Sequence, residues 1–581
     1  MCGFIVTSKN FSINTLKEIS ENHISYRGSI KPLIKTSRYS HFVFSRLPIV
    51  DVSNYSNQPY IWQDISIVFN GELYNYKDLK DELINKYGIK FTGKSDVEVF
   101  LKGFITFGPK IFFKKAIGMW AYVIEDKESN IFWGRDEYGI KPLYFVLKNK
   151  NISLSSSLPA LVQLKDLKIN DFSKESLKTF IVYGFLDQIN VPLYKDISCA
   201  KPGFTYTLKK DSPLKIEENK FEERNIKFND IRTVLDSVIE NQIPEEVDFS
   251  IALSGGLDSN ILAYTIAKKN KNFSALSLEL QDSAPEYNYI KQTIKDLKIN
   301  HEFIKVDSDD VFNECNDIIQ KLGIPMRSSQ PVYQSFLRKR ANELGSKVFF
   351  TGDGADEIFG GYVQGFYYFL KDNFSKVNLN EFQDFLNAKN KLNLEEVLSS
   401  IEEKCKVFKL SNNWINLFTY KSNKLPLEPK NLYEYMNFRL YMHPMPYWLS
   451  TEDVVSLKNQ IETRVPFLDQ RIVFRSKFQD INSLYLKGKN KFQLRQAYKD
   501  LPAHIINLQR KYPRPADTRN LVYSVKAQNA IKSFINSSFY KELNISKISR
   551  ISDLYQNDMT KNNPENTDNW FRMLTCFFLL N

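Results

Sequence analysis

A short glycine-rich loop between a buried strand and a helix constrains the fold of this chain more than any other feature. The apolar run DFSIALSGG, residues 248–256, is typical of a buried strand, and LDSNILAYTIAKK continues it with the spacing of a helix. A second strand pattern, FSALSLEL at residues 273–280, follows this helix. Strands that alternate with helices in this way predict a parallel α/β sheet in this part of the chain.

The loop itself has the composition of a phosphate-binding site. Its glycines let backbone N–H groups approach phosphate oxygens, its serines add hydroxyl donors, and the helix N-terminus favours an anion. The pattern differs from GxxxxGK[ST], so the usual P-loop is excluded, and it resembles the pyrophosphate loop of ATP pyrophosphatases. A plain glycine-serine turn is the alternative. The loop comprises Ser254, Gly255, Gly256, Leu257, Asp258 and Ser259.

A second motif, TGDGADEIFGGY at residues 351–362, follows the apolar strand pattern KVFF. Carboxylates grouped after a strand suit Mg²⁺, which binds carboxylate and phosphate oxygens. Calcium is less suited because the EF-hand spacing is absent. The motif therefore predicts a magnesium site, and a solvated acidic loop is the alternative.

The N-terminus places a cysteine directly after the initiator methionine, in the apolar run MCGFIV. Removal of Met1 would leave an α-amine with a pKa of about 7.7–8.0, which could act as a general base beside the Cys2 thiol. A small buried hydrophobe is the alternative, since free cysteine usually behaves in that way. We expect the active protein to begin at Cys2, because a small second side chain permits removal of the methionine.

Composition narrows the class of protein. The 581 residues are 43% hydrophobic, which allows about two to four domains. The five cysteines are scattered without a CxxC or Cys/His cluster, so neither a disulfide framework nor a zinc site is expected. The sequence has no signal peptide and no apolar run of about 18 residues, so we expect a cytoplasmic protein without membrane contact. The net charge of +12 comes from lysines mixed with acids, and we expect no nucleic-acid partner.

The sequence divides into two parts with different patterns. Residues 2–210 alternate short strand patterns with Asn-Gly and Gly turns, which predicts a sheet-rich domain. The polar segment 211–225 is the predicted linker. Residues 226–581 carry the parallel-sheet patterns and many amphipathic stretches, which predicts an α/β domain with many helices.

Together the motifs resemble the glutamine-dependent asparagine synthetase family, in the same order and across nearly the whole chain. They are Cys2-Gly3, RLPIVD, FNGELYN, KSDVEV, GRDEYGIKPLY, SGGLDS, TGDGADEIFGGY and ETRVPFLD. The resemblance implies an α/β protein with an N-terminal class-II glutamine amidotransferase domain of the N-terminal-nucleophile, αββα fold. It also implies a second, ATP-pyrophosphatase-type synthetase domain.

In the glutaminase half, the resemblance makes Cys2 the nucleophile that attacks the glutamine carboxamide, with its own α-amine as proton relay. Asn70 and Gly71 match the oxyanion-hole pair. Arg46 should hold the α-carboxylate of glutamine, and Glu72 and Asp96 its ammonium. The remaining glutamine-binding positions are Leu47, Pro48, Ile49 and Val50. Taken singly, Arg46 could be a surface ion pair, Asn70-Gly71 a hairpin turn and Asp96 a helix N-cap.

In the synthetase half, an acceptor carboxylate should attack the α-phosphate of ATP to give an acyl-adenylate, which ammonia then amidates. Residues 254–259 would grip pyrophosphate, and Asp258 with Asp356 would bind Mg²⁺. Lys511 and Asp353 match positions that act on the adenylate, and Lys491 is a further candidate for stabilising its charge; a solvated surface lysine is the alternative for each lysine. The positions that surround adenine and ribose are Leu253, Ser277, Thr351 and Gly352. Ammonia must arrive neutral, which implies an enclosed apolar route between the domains.

The sequence departs from the family pattern at three places, and one of them lies near the expected acceptor site. The segment GIPMRSSQ, residues 323–330, has no acid before its proline, where asparagine synthetases usually carry one. Arg27-Gly28-Ser29-Ile30 replaces an Arg-Gly-Pro-Asp loop, and Ser157-Leu158 replaces a Ser-Glu pattern. The acceptor is therefore open between aspartate and a sugar (uronic) acid of surface-polysaccharide synthesis.

Other classes of function remain open from the sequence. A tRNA-modifying ATP pyrophosphatase would suit the basic charge but leaves Cys2 and the Asn-Gly motif unexplained. A catalytically silent binding or regulatory protein is disfavoured by the intact Cys2, Asp258, Asp356 and Lys511. The expected ligands are glutamine, ATP, Mg²⁺ and a carboxylate acceptor, and the sequence leaves open whether the chain forms a homodimer.

Overall fold

The computed structural model of the chain describes most of residues 2–581. The residues outside this description are 1, 9–10, 150, 169–170, 188, 190–191, 210–211, 220–229, 270–271, 280–284, 374–404, 409–413, 415, 419, 423–424, 477–478, 508–517, 562 and 564.

Twelve described strands form two six-stranded sheets in the first part of the chain. One sheet has the strand order β10-β8-β9-β1-β3-β2 and the other has the order β12-β11-β7-β6-β5-β4, and every pairing within them is antiparallel. The strands are β1 Cys2–Ser8, β2 Leu33–Thr36, β3 Ser40–Arg46, β4 Tyr60–Trp62, β5 Ile65–Leu73, β6 Gly118–Glu125, β7 Ile131–Arg135, β8 Tyr144–Lys148, β9 Asn151–Ser155, β10 Ser198–Cys199, β11 Phe204–Leu208 and β12 Lys215–Glu218.

These two sheets pack face to face, and helices cover their outer faces. Alternate side chains of β1 point to opposite sides, because successive residues of a strand face opposite faces of its sheet. Phe4 and Val6 pack with Val123 and Trp133 between the sheets, whereas Ile5 packs among the outer helices. The six described helices are α1 Ile13–His23, α2 Tyr76–Tyr87, α3 Asp96–Phe107, α4 Pro109–Phe112, α5 Leu158–Leu164 and α6 Lys174–Tyr183. The layers confirm the αββα architecture.

Part of the predicted linker is a strand. Residues 215–218 form β12, which pairs with β11 at the edge of the second sheet. The polarity of this segment suggested a linker, but an edge strand with four exposed residues can also be polar throughout. Residues 220–229 lie outside the described residues, so the boundaries 2–210 and 226–581 stay predictions.

The second part of the chain contains the predicted parallel sheet. Its five strands are β13 Phe249–Ala252, β14 Ser274–Leu278, β15 Asn300–Ile304, β16 Val348–Phe350 and β17 Glu462–Arg464. They are parallel throughout and lie in the order β15-β14-β13-β16-β17. The strand order reverses between β13 and β16. In open α/β sheets, ligands bind at the carboxyl ends of the strands at such a reversal.

Helices cover both faces of this sheet. Ile251 and Phe350 pack against one helical layer, and Leu276 and Phe349 pack against the other. No helix in the described ranges is both long and apolar enough to span a bilayer. The described helices are α7 Ile231–Gln242, α8 Leu257–Lys268, α9 Pro285–Leu297, α10 Ser308–Leu322, α11 Gln330–Glu343, α12 Ala355–Phe359, α13 Val363–Asn373, α14 Leu432–Tyr441, α15 Met445–Leu457, α16 Gln470–Ser476, α17 Phe492–Ala497, α18 Ala503–Ile506, α19 Thr518–Tyr523, α20 Val525–Asn536, α21 Ser538–Leu543, α22 Ile548–Thr560 and α23 Thr567–Leu580.

Buried ion pairs join the two parts of the chain. Nη2 of Arg27 lies 2.6 Å from Oδ2 of Asp453, and the two side chains are 0% and 1% exposed. Nζ of Lys141 lies 4.0 Å from the other carboxylate oxygen of Asp453. On α2, Lys77 makes an exposed ion pair of 2.6 Å with Glu245, which follows α7.

We expect Arg27→Met to destabilise the protein by about 3–5 kcal/mol, because it leaves the buried Asp453 carboxylate without its closest cation. The measurement is urea-induced unfolding followed by circular dichroism. The matched control is Lys77→Met, which breaks an exposed ion pair across the same interface and should leave the midpoint unchanged. Because Lys141 also pairs with Asp453, all three members of the buried group must be replaced together. Arg27→Met with Lys141→Met and Asp453→Leu should recover much of the lost stability, and no recovery would contradict this account.

Candidate active sites

The predicted glutaminase residues meet at one small pocket of about 30 Å³ in the first part of the chain. The strand register brings them together, because Cys2 of β1 lies directly opposite Arg46 of β3. Three polar side chains of the lining, Ser56, Gln58 and Ser95, were not predicted from the sequence. The predicted residues that line the pocket are Cys2, Arg46, Leu47, Pro48, Ile49, Val50, Gly71, Glu72 and Asp96.

Asn70 accepts a hydrogen bond from Cys2, and the amide nitrogen of its side chain has no partner among the described residues. The main-chain nitrogen of Cys2 donates a hydrogen bond to Oδ1 of Asn70 at 2.9 Å. The Nδ2 group of Asn70 is buried and has no hydrogen-bond partner among the described residues. Asn70 and Gly71 pair with Ala121 and Trp120 inside the second sheet, so the hairpin-turn alternative is wrong. A Cβ at Gly71 would lie 2.0 Å from the Met119 carbonyl oxygen, so only glycine fits here.

Arg46 is buried, which contradicts the alternative of a surface ion pair. Its Nη1 donates to the Ser53 carbonyl at 2.7 Å and to Oδ1 of Asn57 at 2.9 Å. Its Nη2 donates to the Asp51 carbonyl and to Oγ of Ser56. These bonds fix the guanidinium at the edge of the pocket.

The two acids of the pocket carry raised pKa values. Burial raises the pKa of Asp96 to about 6, although its Oδ2 accepts a bond from the Leu73 N–H at 3.0 Å. Ser95, not Asp96, is the N-cap of α3, so the capping alternative for Asp96 is wrong. Burial, followed by the nearby charge of Glu462, raises the pKa of Glu72 well above its usual value. Burial also raises the pKa of the Cys2 thiol.

The phosphate-type loop lies between β13 and α8, as predicted. Its own serines shape it: Ser254 N–H donates to Oγ of Ser259 at 3.1 Å, and Gly256 N–H donates to Oγ of Ser254 at 3.2 Å. Gly256 is the N-cap of α8, and no side chain caps the helix. Free N–H groups at a helix N-terminus are suited to an anion.

Neighbouring residues hold this loop against the second motif. Oγ of Ser277 donates to the Leu253 carbonyl at 2.6 Å, which joins the ends of β13 and β14. The Thr351 hydroxyl donates to Oδ2 of Asp353 at 2.7 Å. A Cβ at Gly352 would lie 2.7 Å from Cβ of Asp258, so glycine allows the two loops to touch.

The two predicted magnesium ligands converge on one point. Nζ of Lys491 lies 2.5 Å from Oδ2 of Asp258 and 2.5 Å from Oδ1 of Asp356. Two carboxylates beside a phosphate loop fit Mg²⁺, which often binds through one or two carboxylates plus substrate phosphates. Among the described residues, no group of three or more His, Cys, Asp or Glu side chains could hold a metal without such help.

A cavity of about 450 Å³ extends from this loop. Besides all ten predicted nucleotide positions, its lining includes Asp353 and Asp356, so the structure brings together every predicted synthetase residue that it describes. Lys511 lies outside the described residues. Side chains that were not predicted as site residues also line the cavity. They include Glu286, Glu357, Tyr362, Arg439, Trp448, Arg495 and Asp568. Of those named, only Glu357 and Tyr362 lie within a motif, TGDGADEIFGGY.

One end of the cavity carries two guanidinium groups. Nη1 of Arg327, from the segment GIPMRSSQ, donates a hydrogen bond to Nε2 of His443 at 2.7 Å. Burial lowers the pKa of His443 well below its usual value, so this imidazole is neutral. The guanidinium of Arg439 lies 3.8 Å above the ring of Tyr362, whose hydroxyl donates to Oε1 of Glu357 at 2.5 Å.

Comparison with known proteins gives the same two parts. The asparagine synthase family model matches residues 230–578, and the glutamine amidotransferase domain model matches residues 1–221. The fold and sites therefore define a glutamine amidotransferase joined to a synthetase. The chain belongs to the asparagine synthase family, whose members use ATP, and it is a glutamine-hydrolysing ligase of the asparagine synthetase type.

Curated relatives are identical to the chain at about a quarter of the aligned positions. Asparagine synthetase [glutamine-hydrolyzing] 1 of Bacillus subtilis is 26% identical over 87% of this chain and 86% of its own length. Asparagine synthetase B of Escherichia coli is 26% identical over 55% of this chain and 56% of its own length. Among solved structures, glutamine phosphoribosylpyrophosphate amidotransferase of B. subtilis covers 52% of this chain and 65% of its own at 13% identity, and its TM-score of 0.28 carries no structural argument.

The geometry of Asn70 predicts a catalytic defect. If Asn70 forms the oxyanion hole, as the sequence predicts, we expect Asn70→Ala to lower the turnover of glutamine hydrolysis by about 10² to 10³, because one donor is lost. Glutamate release measures the effect. The control is Asn85→Ala at an exposed position of α2, which should retain full turnover. Equal activity of the two variants would exclude Asn70 from the oxyanion hole.

Proposed function

We propose that the chain is a glutamine-hydrolysing asparagine synthetase. It hydrolyses glutamine at the Cys2 pocket, activates aspartate with ATP at the large cavity, and joins the released ammonia to the activated carboxylate. The products are asparagine, glutamate, AMP and pyrophosphate. The observation that carries the proposal is the presence of two groups of site residues in one chain: Asn70 hydrogen-bonded to Cys2, and the phosphate-type loop beside two converging carboxylates.

In the first half-reaction, the Cys2 thiol attacks the glutamine carboxamide. Because burial raises the pKa of this thiol, it needs a base beside it. Removal of Met1 would turn the main-chain nitrogen of Cys2 into an α-amine, which the bond to Oδ1 of Asn70 orients. The Nδ2 group of Asn70 and the Gly71 N–H stabilise the oxyanion. The α-amine takes the thiol proton and passes it to the amide nitrogen of the tetrahedral species, so that neutral ammonia leaves. Water then releases glutamate from the thioester.

In the second half-reaction, the aspartate side-chain carboxylate attacks the α-phosphate of ATP and pyrophosphate departs. The N–H groups of residues 254–259 and the N-terminus of α8 bind the pyrophosphate. Asp258 and Asp356 would hold Mg²⁺, which neutralises charge on the phosphates when bound. We assign adenine and ribose to Leu253, Ser277, Thr351 and Gly352. Lys511 stabilises charge on the acyl-adenylate, and Asp353 takes part in forming this intermediate.

Ammonia then displaces AMP from the acyl-adenylate and must reach it unprotonated. An apolar cluster across the interface supports an enclosed route. It contains Leu47 and Ile49 from the wall of the Cys2 pocket and Met445 and Leu253 from the wall of the large cavity. Since apolar side chains do not stabilise ammonium, such a route favours neutral ammonia.

Aspartate needs two cations and one anion at the acceptor end of the cavity. Arg327 and Arg439 provide the two guanidinium groups, and Glu357 and Asp353 provide carboxylates for the α-ammonium. The acid that is missing from GIPMRSSQ can therefore be replaced by acids of the second motif. This set supports aspartate as the acceptor. All five cysteines lie among the described residues and are free thiols, which fits the cytoplasm as the proposed location.

Separate sites predict separable defects. We expect Cys2→Ala to abolish glutamine-dependent synthesis and to keep synthesis from ammonium salts, because the second site is intact. Asp258→Asn should do the reverse, with glutamine hydrolysis retained and synthesis lost. Glutamate and AMP release measure the two half-reactions. A folded Cys2→Ala variant that fails with ammonium salts would contradict the two-site proposal.

Aspartate should strongly stimulate AMP release in the presence of ATP, Mg²⁺ and ammonium, and the product should have the mass of asparagine. The comparison substrates are a uronic acid and its nucleotide conjugate, which lack the α-ammonium. If aspartate leaves AMP release at background while a uronic acid raises it, the acceptor is a sugar acid and the asparagine proposal is wrong.

A further inference from the structure

Two charged side chains contact the groups that the proposed function assigns to Mg²⁺ and to pyrophosphate. The first is Lys491, whose ammonium lies 2.5 Å from both Asp258 and Asp356. These carboxylates are the proposed magnesium ligands. An ammonium and a divalent cation cannot occupy the same position between them, so Lys491 must leave when the metal binds.

The backbone conformation and the close packing around Lys491 fix the position of its side chain. The residue has a left-handed backbone with φ of 50°, which is uncommon for a residue with a side chain, and it is the N-cap of α17. Its N–H donates to the Gly360 carbonyl at 3.2 Å. A Cβ at Gly361 would lie 2.5 Å from Cε of Lys491, so the absent side chain makes room for the lysine.

The second side chain is Glu286 on α9. Its Oε1 accepts a hydrogen bond from the Gly255 N–H at 3.0 Å, and the residue is buried. A Cβ at Gly255 would lie 2.7 Å from Cγ of Glu286, which shows how closely the glutamate packs on the loop. A pyrophosphate oxygen needs this same type of backbone donor. A carboxylate here therefore occupies a donor that a phosphate would use and repels a phosphate by its charge.

We propose that Lys491 and Glu286 are internal competitors for the Mg²⁺ and pyrophosphate positions, which makes the uptake of metal and nucleotide cooperative. This inference rests on the proposed function, because it needs both ligands at this loop. Metal alone must displace the Lys491 ammonium from two carboxylates. Pyrophosphate alone must displace the Glu286 carboxylate. When both bind, the released ammonium can pair with phosphate oxygens, so the two displacements offset each other.

The cooperativity can be measured, because Mg²⁺ must raise the affinity for pyrophosphate by the same factor as pyrophosphate raises the affinity for Mg²⁺. Each competitor should weaken one ligand measured alone. Lys491 should weaken the metal, and Glu286 should weaken metal-free pyrophosphate. A merely structural ion pair at Lys491 would not raise metal affinity when it is removed.

The experiment uses the full-length protein and two binding measurements that need no turnover. Binding of Mn²⁺ alone is followed by electron paramagnetic resonance, and binding of pyrophosphate in EDTA by calorimetry. We expect Lys491→Gln to tighten Mn²⁺ at least about tenfold and Glu286→Gln to tighten metal-free pyrophosphate at least about tenfold, which corresponds to about 1.4 kcal/mol each. The matched controls are Lys487→Gln and Glu18→Gln at exposed positions, which should bind as the wild type does.

The possible outcomes separate the inference from the proposed function. Unchanged or weaker Mn²⁺ binding by folded Lys491→Gln and by Lys491→Met, or unchanged pyrophosphate binding by Glu286→Gln, overturns the inference. Circular dichroism and retained glutaminase activity verify that each variant is folded. If the wild type binds neither Mg²⁺–ATP nor Mg²⁺–pyrophosphate, the proposed ATP site itself is wrong.

Discussion

The guanidinium of Arg464 joins the two functional halves of the protein. It lies on β17 of the parallel sheet, 3.1 Å from Glu72 in the wall of the Cys2 pocket and 2.7 Å from Glu462 on its own strand. All three side chains are buried. A buried cation between two carboxylates keeps its stabilising value only while both remain in place. The two halves are therefore held in one arrangement by charge as well as by apolar contact.

This contact also sets the chemistry of the glutamine site. The negative charge of Glu462 raises the pKa of both Glu72 and Asp96, although burial is the larger cause for each. A residue of the second half thus influences the acids that we assign to the glutamine ammonium. The charge of Glu462 therefore acts across the boundary between the two halves.

Each candidate site lies at one end of a buried strand. Cys2 starts β1, and its register opposite Arg46 fixes one pocket. The loops after β13 and β16 meet where the order of the parallel strands reverses, and they fix the other. Rigid strands hold these groups, while the apolar cluster that contains Leu47 and Met445 lies between the pockets. The ammonia transfer that we propose would run between these two fixed sites.

The sequence by itself determined the two-part organisation, the α/β class and most of the predicted site. Strand patterns, glycine-rich loops and Cys2 are local signals, because hydrophobic period and backbone freedom are encoded within a few residues. Only the tertiary structure revealed that residues 215–218 extend a sheet, that Glu286 contacts Gly255, and that Lys491 bridges Asp258 to Asp356. The contact of Glu286 with Gly255 joins residues 31 positions apart, and that of Lys491 with Asp356 joins residues more than 130 positions apart. No local pattern specifies these two contacts, since they depend on which loops the parallel sheet places side by side. Strand β12 pairs with β11, which precedes it in the chain, and its mostly polar sequence hid this pairing.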